Sequence, residues 1–115
     1  MTITEKRMEG ANLEPQPYVS LADVQREIRS VHYFTAYDGV RGSTPPGLRS
    51  YVPRQALKAV TFCVLELRNG FIVTGESVCA RDDAFDDEKG RAHALERAME
   101  KLTGYVIYAW KSAQS

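Results

Sequence analysis

The sequence has little of what marks several common protein classes. Its fifteen basic and fifteen acidic side chains give a formal net charge of zero over 115 residues. This balance argues against a general nucleic-acid binder and against an acidic mimic of DNA. There is no long apolar run, so the sequence predicts no transmembrane helix, and the first residues show no signal-peptide pattern.

Cysteine and histidine are also scarce, which limits catalysis and metal binding. Cys63 and Cys79 lack the spacing of a metal site. His32 and His93 lie far apart in the chain, and no nucleophile elbow surrounds Ser77. Neither a Walker pattern nor a GxGxxG is present. We therefore expect no catalytic residues, no metal and no cofactor, and we expect reduced cysteines, as suits a cytoplasm.

Residues 60–80 predict a β-hairpin around which the remainder of the domain is built. Asn69-Gly70 is a strong signal for a two-residue type I′ turn, because both central residues of that turn need a positive φ. Such a turn places Leu65 opposite Thr74. Both faces of the hairpin are then largely apolar, so we expect each to be covered by a helix, another segment or a second subunit.

Two helices and a further strand are predicted around the hairpin. Ser20 opens a first helix with Asp23 as its capping partner, and we expect this helix to end near Tyr33. A second helix is expected over residues 84–103, ended by the glycine that follows it. Residues 105–110, YVIYAW, predict a strand beside the first strand of the hairpin.

The predicted fold class is α+β, a small single domain in α-β-β-α-β order. It consists of an antiparallel hairpin with a third strand, packed by two helices. Residues 1–17 predict a flexible N-terminal tail, and residues 18–115 the domain. Residues 38–56 contain three glycines and three prolines and predict a long loop. Gly75, inside a strand, suggests a bulge or a close approach of another backbone.

The long loop and the aromatic segment before it carry the candidate ligand-binding residues. Arginines beside an aromatic ring can hold a phosphate, and tyrosines can stack on a base. Two alternatives stay open: a solvated loop whose basic residues balance the acids downstream, and aromatics that pack a helix end against the sheet. The six candidates are Arg41, Arg49, Tyr51, Arg54, Tyr33 and Tyr37.

The second half of the chain contains a set of short motifs. They are an LRNGF turn, a VTGES segment, a cysteine, F-D-x-E-x-G-R leading into a helix, and a closing G-Y. Here they occupy Leu67 to Phe71, Val73 to Ser77, Cys79, Phe85 to Arg91, and Gly104-Tyr105. In these motifs the chain resembles the gene-product-forty-nine family of small tailed-phage proteins.

The resemblance implies a context and no family-wide biochemical activity. Small accessory phage proteins act inside the infected host, often by binding a host protein or by disarming a defence, and they are rarely enzymes. Glu76, Ser77 and Arg91 are motif residues without an assigned role. We expect Glu76 to pair with Arg91 across the hairpin–helix junction.

Two main hypotheses for function follow. The first is a non-enzymatic phage accessory protein of the host cytoplasm that counters a defence. It would bind and sequester a nucleotide-type signal, cyclic or of the ADP-ribose type, or it would bind a host defence protein. The second is a structural or protein–protein interaction module with no small-molecule ligand. An enzyme is a third hypothesis. We expect a homo-oligomer, no general nucleic-acid binding and no membrane association.

Overall fold

A computed structural model describes residues 19–48, 51–80 and 86–114 of the chain, so the predicted tail at residues 1–17 lies outside them. The elements are α1 (Leu21–Arg26), β1 (Ile28–Thr35), α2 (Ala36–Ser43), β2 (Val60–Leu67), β3 (Ile72–Val78) and α3 (Asp87–Gln114). Two short 3-10 helices, Pro46–Leu48 and Gln55–Ala59, lie between α2 and β2. The strands form one antiparallel sheet in the order β1-β2-β3. The predicted fold class is confirmed: a small α+β domain with a hairpin, a third strand and packed helices.

Strands β2 and β3 form the predicted hairpin, but its turn is one residue longer than expected. The Gly70 N–H donates to the Leu67 carbonyl, and the Leu67 N–H donates to the Phe71 carbonyl, both at 2.9 Å. Gly70 has a φ of 90°, in the left-handed region. The loop is therefore a three-residue turn closed by a glycine bulge. Leu65 lies opposite Val73, so the predicted register is wrong by one residue.

This one-residue shift places every side chain of β3 on the opposite face from the predicted one. One face is covered by α3 and holds the core, whose buried members are Val24, Cys63, Leu65, Leu67, Val73, Ala94, Ala98 and Leu102. The other face leaves Phe34 40%, Ile72 50% and Val78 67% exposed. We call this second surface the open sheet face. Among the described residues of a single chain, no helix covers this face as α3 covers the other, so its cover by another segment or by a second subunit stays a prediction.

Gly75 allows α3 to lie directly on β3. A Cβ at Gly75 would stand well inside contact distance of the Ala94 carbonyl oxygen and the Ala98 amide nitrogen. Both alanines are fully buried. Of the two alternatives predicted from Gly75, the close backbone approach is confirmed, and the small alanines make it possible.

The first helix begins where the sequence predicts, but it is short. The Asp23 N–H donates to Ser20 Oγ at 3.1 Å, and the Ser20 N–H donates to Asp23 Oδ2 at 2.9 Å, which is the expected capping box. The helix ends at Arg26 and does not reach Tyr33, so that prediction is wrong. The segment that follows, IRSVHYFT, forms β1 because its branched and aromatic side chains favour a strand.

Helix α3 runs through the segment predicted to be the last strand. It continues past Gly104, and residues 105–110 are helical, so the predicted strand is wrong there. Leu102 is buried and Val106 packs against the core four residues later, a helical spacing that overrides the strand propensity of YVIYAW. β1 instead occupies the position predicted for the third strand, beside β2.

The segment predicted as a loop over residues 38–56 begins as a helix. A second capping box opens α2: the Asp38 N–H donates to Thr35 Oγ1 at 3.1 Å, and the Thr35 N–H donates to Asp38 Oδ2 at 3.0 Å. The predicted loop is therefore wrong as far as residue 43. The glycines in this part of the segment do not prevent a helix whose first turn is capped.

Candidate functional site

The structure brings two of the six predicted ligand-binding residues together and separates others from them. Arg41, in the last turn of α2, and Tyr51 line the same pocket. Tyr33 lies on β1 and lines a different pocket. Tyr37 lies in α2 and lines neither of these two pockets.

The remaining candidates are placed outside these pockets or outside the described residues. The Lys58 ammonium lies 4.8 Å from the centroid of the Tyr37 ring, a cation–π contact that occupies one face of the ring. Arg54 is exposed at the start of the second 3-10 helix and makes no side-chain capping bond there. Arg49 lies outside the described residues.

The Arg41–Tyr51 pocket lies between the end of α2 and the segment after the first 3-10 helix. Its volume is about 260 Å³, and it is lined by Arg41, Gly42, Thr44 and Tyr51. The Tyr51 N–H donates to the Leu48 carbonyl at 2.9 Å, which fixes the backbone that carries the tyrosine. Among the described residues, no carboxylate forms an ion pair with Arg41. The pocket thus combines a guanidinium with an aromatic ring.

A second pocket, which we call the β1–α3 pocket, lies where the end of β1 meets the start of α3. Its volume is about 110 Å³. It is lined by Tyr33, Phe34, Thr35, Asp38, Thr61, Asp87 and Arg91. Thr61 is only 2% exposed, and its Oγ1 has no hydrogen-bond partner among the described residues. A buried hydroxyl without a partner is uncommon in native proteins and costs free energy.

The electrostatics of the β1–α3 pocket keep its phenol neutral. Burial raises the pKa of Tyr33, the neighbouring Cys63 raises it further, and the Arg91 guanidinium acts in the opposite direction. Burial also raises the pKa of the Cys63 thiol. Both groups are therefore protonated at neutral pH, and Tyr33 can serve as donor or acceptor of a hydrogen bond.

Arg91 and Glu76 lie on different sides of the sheet. Glu76 lies opposite Phe62 on the open sheet face, whereas Arg91 belongs to α3, which covers the other face. The predicted pair between Glu76 and Arg91 is therefore wrong. Ser77 is buried on the covered face, directly opposite Thr61.

The sequence carried a partial signal for the β1–α3 pocket. Thr35 and Asp38 repeat the capping pattern that predicted α1, and Arg91 belongs to the phage-family motif. Thr61 gave no signal, since its burial depends on which face of β2 the helix covers. For β3, the covered face is set by the three-residue length of the hairpin turn.

The described residues offer neither a metal site nor a membrane span. No group of three or more histidine, cysteine, aspartate and glutamate side chains in these ranges is placed to hold a metal ion. None of the helices there combines the length and the apolar character that crossing a membrane requires.

A comparison with protein families places residues 19–112 in one match. The matching profile is that of the Phage protein (N4 Gp49/phage Sf6 gene 66) family, and the match spans most of the chain. No curated protein and no solved structure matches the sequence.

Proposed function

The chain belongs to the Phage protein (N4 Gp49/phage Sf6 gene 66) family, and from this premise we propose that it is a phage accessory protein that sequesters a nucleotide-type ligand. In this proposal the protein acts in the host cytoplasm, counters a defence that uses the ligand as its signal, and holds the ligand without converting it.

One observation carries the proposal: Arg41 and Tyr51, ten residues apart in sequence, line one pocket. A guanidinium can bind a phosphate through two parallel hydrogen bonds. A tyrosine ring offers a flat apolar surface on which any base can stack. A nucleotide carries both a phosphate and a base, so it can contact the Arg41 guanidinium and the Tyr51 ring at once.

The size of the pocket limits the ligand. Its volume of about 260 Å³ lies just below the usual range for small-molecule sites, roughly 300–1,000 Å³. We therefore expect the pocket to hold one base with its adjoining phosphate. A ligand with two bases, such as a cyclic dinucleotide, would need a second pocket, which a homo-oligomer can supply at an interface between copies.

The side chains that line the pocket support binding without conversion of the ligand. They supply a guanidinium, a phenol and the Thr44 hydroxyl, and the Thr44 hydroxyl donates its proton to the Val40 carbonyl at 2.7 Å. A guanidinium stays protonated in proteins and so cannot act as a general base. Binding alone is the activity that these groups support.

A thermal-shift panel tests the proposal directly. The purified protein is heated with cyclic di- and trinucleotides, ADP-ribose-type compounds and mononucleotides. A ligand at 100 times its Kd should add about 2.7 kcal/mol of stability, which corresponds to a melting shift on the order of 10 °C. We expect one ligand class to give such a shift, and we expect chromatography to recover that ligand intact.

Three variants attribute the shift to the pocket. Arg41→Ala and Tyr51→Ala should each remove most of it, whereas Arg29→Ala should leave it unchanged, because Arg29 is an exposed arginine on β1 outside the pocket. A flat panel would contradict the proposal, as would a shift that survives both pocket variants. Recovery of a converted ligand would contradict the absence of turnover.

A second candidate function, binding of a host defence protein, is favoured by the open sheet face. Phe34, Ile72 and Val78 are exposed there, and the Phe34 and Phe62 rings stack with centroids 5.4 Å apart. Exposed apolar side chains gathered on one surface are typical of contact sites between proteins. Ile72→Lys should then abolish capture of a host protein, and the control Lys58→Ala should leave capture unchanged. Capture that survives Ile72→Lys would exclude this face as the contact site.

A further inference from the structure

The two edge strands of the sheet, β1 and β3, differ in how their outer backbone groups are satisfied. On β3, the Lys101 ammonium donates to the Thr74 carbonyl at 2.8 Å, and the Arg97 guanidinium donates to the Glu76 carbonyl at 3.4 Å. Both cations belong to α3, so the helix closes this edge with charged side chains, a common protection of an edge strand. A strand of another chain could reach these carbonyls only by displacing both cations.

The hydrogen-bond ladder shows which residues of β1 direct backbone groups to its outer edge. The Leu67 N–H donates to the Phe71 carbonyl, so the odd-numbered residues of β2 bond to β3. Because the bonding direction alternates along an antiparallel strand, the even-numbered residues of β2 bond to β1. Their partners are the even-numbered residues of β1. The residues that direct their N–H and carbonyl groups outward are therefore Val31, Tyr33 and Thr35.

The outer edge of β1 is open over a short window. At one end, the Thr35 N–H donates to Asp38 Oδ2 at 3.0 Å. At the other end, a register shift interrupts the ladder at the start of the strand. Between these limits, the outward N–H and carbonyl groups of Val31 and Tyr33 have no partner among the described residues. The window, which we call the β1 edge, thus offers two donors and two acceptors.

The side chains of the β1 edge add an apolar surface to these groups. Val31 is 40% exposed and Tyr33 38% exposed. The residues of an added strand that lie directly opposite them would point to the same face of the sheet and could contact both side chains. Extended peptides that join an exposed sheet edge use this combination of backbone bonds and alternate side-chain contacts. Apolar residues at two alternate positions therefore suit this edge.

Opposite charges lie at the two ends of the β1 edge. Arg29 is exposed at the start of the strand. Asp38 and Asp87 lie at its other end, where Arg91 is the one basic side chain among the residues that line the adjoining pocket. An antiparallel segment runs from the Asp38 end to the Arg29 end. Its charges match if a basic residue precedes the apolar positions and an acidic residue follows them.

The short length of the β1 edge favours a flexible segment over a second folded copy. Stable interfaces between folded proteins use roughly 20–30 residues a side. A ladder limited to Val31 and Tyr33 supplies a small part of such an interface. A segment without a fixed structure can instead follow the edge and bring its own side chains to it.

We propose that the β1 edge binds an extended segment of a partner protein as an added strand, antiparallel to β1. The backbone groups of Val31 and Tyr33 exchange four hydrogen bonds with two alternate apolar residues of the segment. A basic residue of the segment lies toward Asp38, and an acidic residue lies toward Arg29. This site is distinct from the Arg41–Tyr51 pocket and from the open sheet face, and it does not depend on the proposed function.

The test uses a peptide with both ends capped, Lys-Thr-Val-Thr-Val-Thr-Glu, and hydrogen exchange of the full chain followed by NMR. In the unliganded protein we expect the amides of Val31 and Tyr33 to exchange rapidly. The peptide should slow both by at least about tenfold and leave the Thr74 amide, on the outer edge of β3, unchanged. The matched peptide carries N-methyl groups on its two valines. It should slow neither amide, because it keeps the side chains and loses the two N–H donors.

A matched pair of proline variants attributes binding to this edge. Proline is tolerated on an edge strand where the N–H points outward, which is the position of Val31 on β1 and of Thr74 on β3. Val31→Pro should weaken peptide binding at least about tenfold, and Thr74→Pro should bind as the wild type does. Ile72→Lys, which changes the open sheet face, should also leave peptide binding unchanged.

Four results would overturn the proposal. The first is the absence of saturable slowing by the peptide, and the second is equal slowing by the N-methylated peptide, a comparison that uses the wild-type chain alone. The third is equal loss of binding in Thr74→Pro. The fourth is slow exchange of Val31 and Tyr33 in the unliganded protein. Slow exchange that depends on protein concentration would assign the edge to a second copy, and slow exchange independent of concentration would assign it to another part of the same chain.

Discussion

Among single residues, Gly75 lies so close to α3 that any side chain there must displace backbone atoms of Ala94 and Ala98. We expect Gly75→Ala to lower the free energy of unfolding by at least about 2 kcal/mol, since the contact is with backbone and cannot be relieved by a rotamer change. Urea denaturation measures the effect.

Gly47→Ala is the matched control for that substitution. Gly47 has no heavy atom within 4 Å of an added Cβ and has no positive φ. We expect its free energy of unfolding to change by no more than about 0.5 kcal/mol. Equal effects at Gly75 and Gly47 would contradict the close packing of β3 on α3.

Cys63 gives a prediction for alkaline pH. Burial raises the pKa of its thiol in the folded state above the ordinary value of 9.0, so the unfolded chain releases this proton first. The thiol's contribution to stability is complete below that ordinary pKa and is lost as the pH rises through the folded pKa. Relative to Cys63→Ala, the wild type should lose up to about 1.4 kcal/mol per pH unit above pH 9.

The measurement compares urea unfolding of the two proteins at several pH values. Both proteins carry Tyr33→Phe, because burial and the neighbouring Cys63 raise the pKa of Tyr33 and its titration would otherwise differ between them. If the free energies of unfolding of the two proteins changed with pH in parallel, the raised pKa of the Cys63 thiol in the folded state would be contradicted.

Residue-level prediction from the sequence succeeded where a residue's own chemistry decides its structure. Gly75 indicated a close approach and Ser20 indicated a helix start, because each depends on local geometry. Thr61 could not be identified, because its burial depends on which face of β2 is covered by α3. The faces of β3 could not be assigned either, because the hairpin register depends on whether the turn contains two residues or three, which Asn69-Gly70 alone does not determine.

At the scale of elements, α3 makes the clearest prediction at Gly104. This glycine lies inside a helix of 28 residues, is exposed, and has open space around the position of a Cβ. Gly104→Ala should raise the free energy of unfolding by about 0.5–1 kcal/mol, because alanine loses less backbone entropy in a helix. Thermal denaturation followed by circular dichroism measures it.

The same substitution tests the strand that the sequence predicted at residues 105–110. If that segment formed a strand after a helix end at Gly104, alanine would remove a favourable stop and lower stability. A decrease in melting temperature would therefore contradict the continuous helix, whereas the control at Gly47 should stay near the wild type.

The elements show why local patterns predict some boundaries and not others. The capping pattern of Ser20 and Asp23 correctly placed the start of α1, and the same kind of pattern at Thr35 and Asp38 opens α2. The second pattern was missed, because the glycines and prolines of residues 38–56 predicted a loop there. The end of α1 was missed because Leu21, Val24, Ile28 and Val31 fit a helical period, although the last two belong to a strand.

For the whole molecule, the open sheet face predicts self-association. Its exposed apolar side chains, with Ile72 50% and Val78 67% exposed, would be removed from water in a homo-oligomer. We expect the melting temperature to rise with protein concentration, as mass action requires of an associating protein. Sedimentation velocity over the same dilution series should show the oligomer dissociate.

Ile72→Lys is the matched variant, because it places a charge on that face while leaving the core unchanged. It should remove the concentration dependence and give a monomer at every dilution. A wild-type protein that stays monomeric, or an oligomer unaffected by this lysine, would contradict association through the open sheet face.

At this scale the sequence was sufficient for the class of fold and for part of the candidate site. The alternation of side chains along the hairpin strands and the contact of Gly75 with α3 define one small α+β domain. Arg41 and Tyr51 were named as candidates, but their meeting in one pocket depends on a helix at residues 36–43 that the composition concealed. Because pockets form between secondary-structure elements, an incorrect prediction of one element prevents prediction of the pocket that it lines.

The position of β2 in the centre of the sheet also has a consequence for the order of folding. Its partner β3 follows after a tight turn, whereas β1 is connected to β2 through α2 and the two 3-10 helices. Hairpins close in about 1–10 μs, and longer loops close at a greater entropic cost. We expect the hairpin and α3 to form the folding nucleus and β1 to dock late. Destabilising changes in β1, such as Val31→Ala, should then accelerate unfolding and leave the folding rate nearly unchanged.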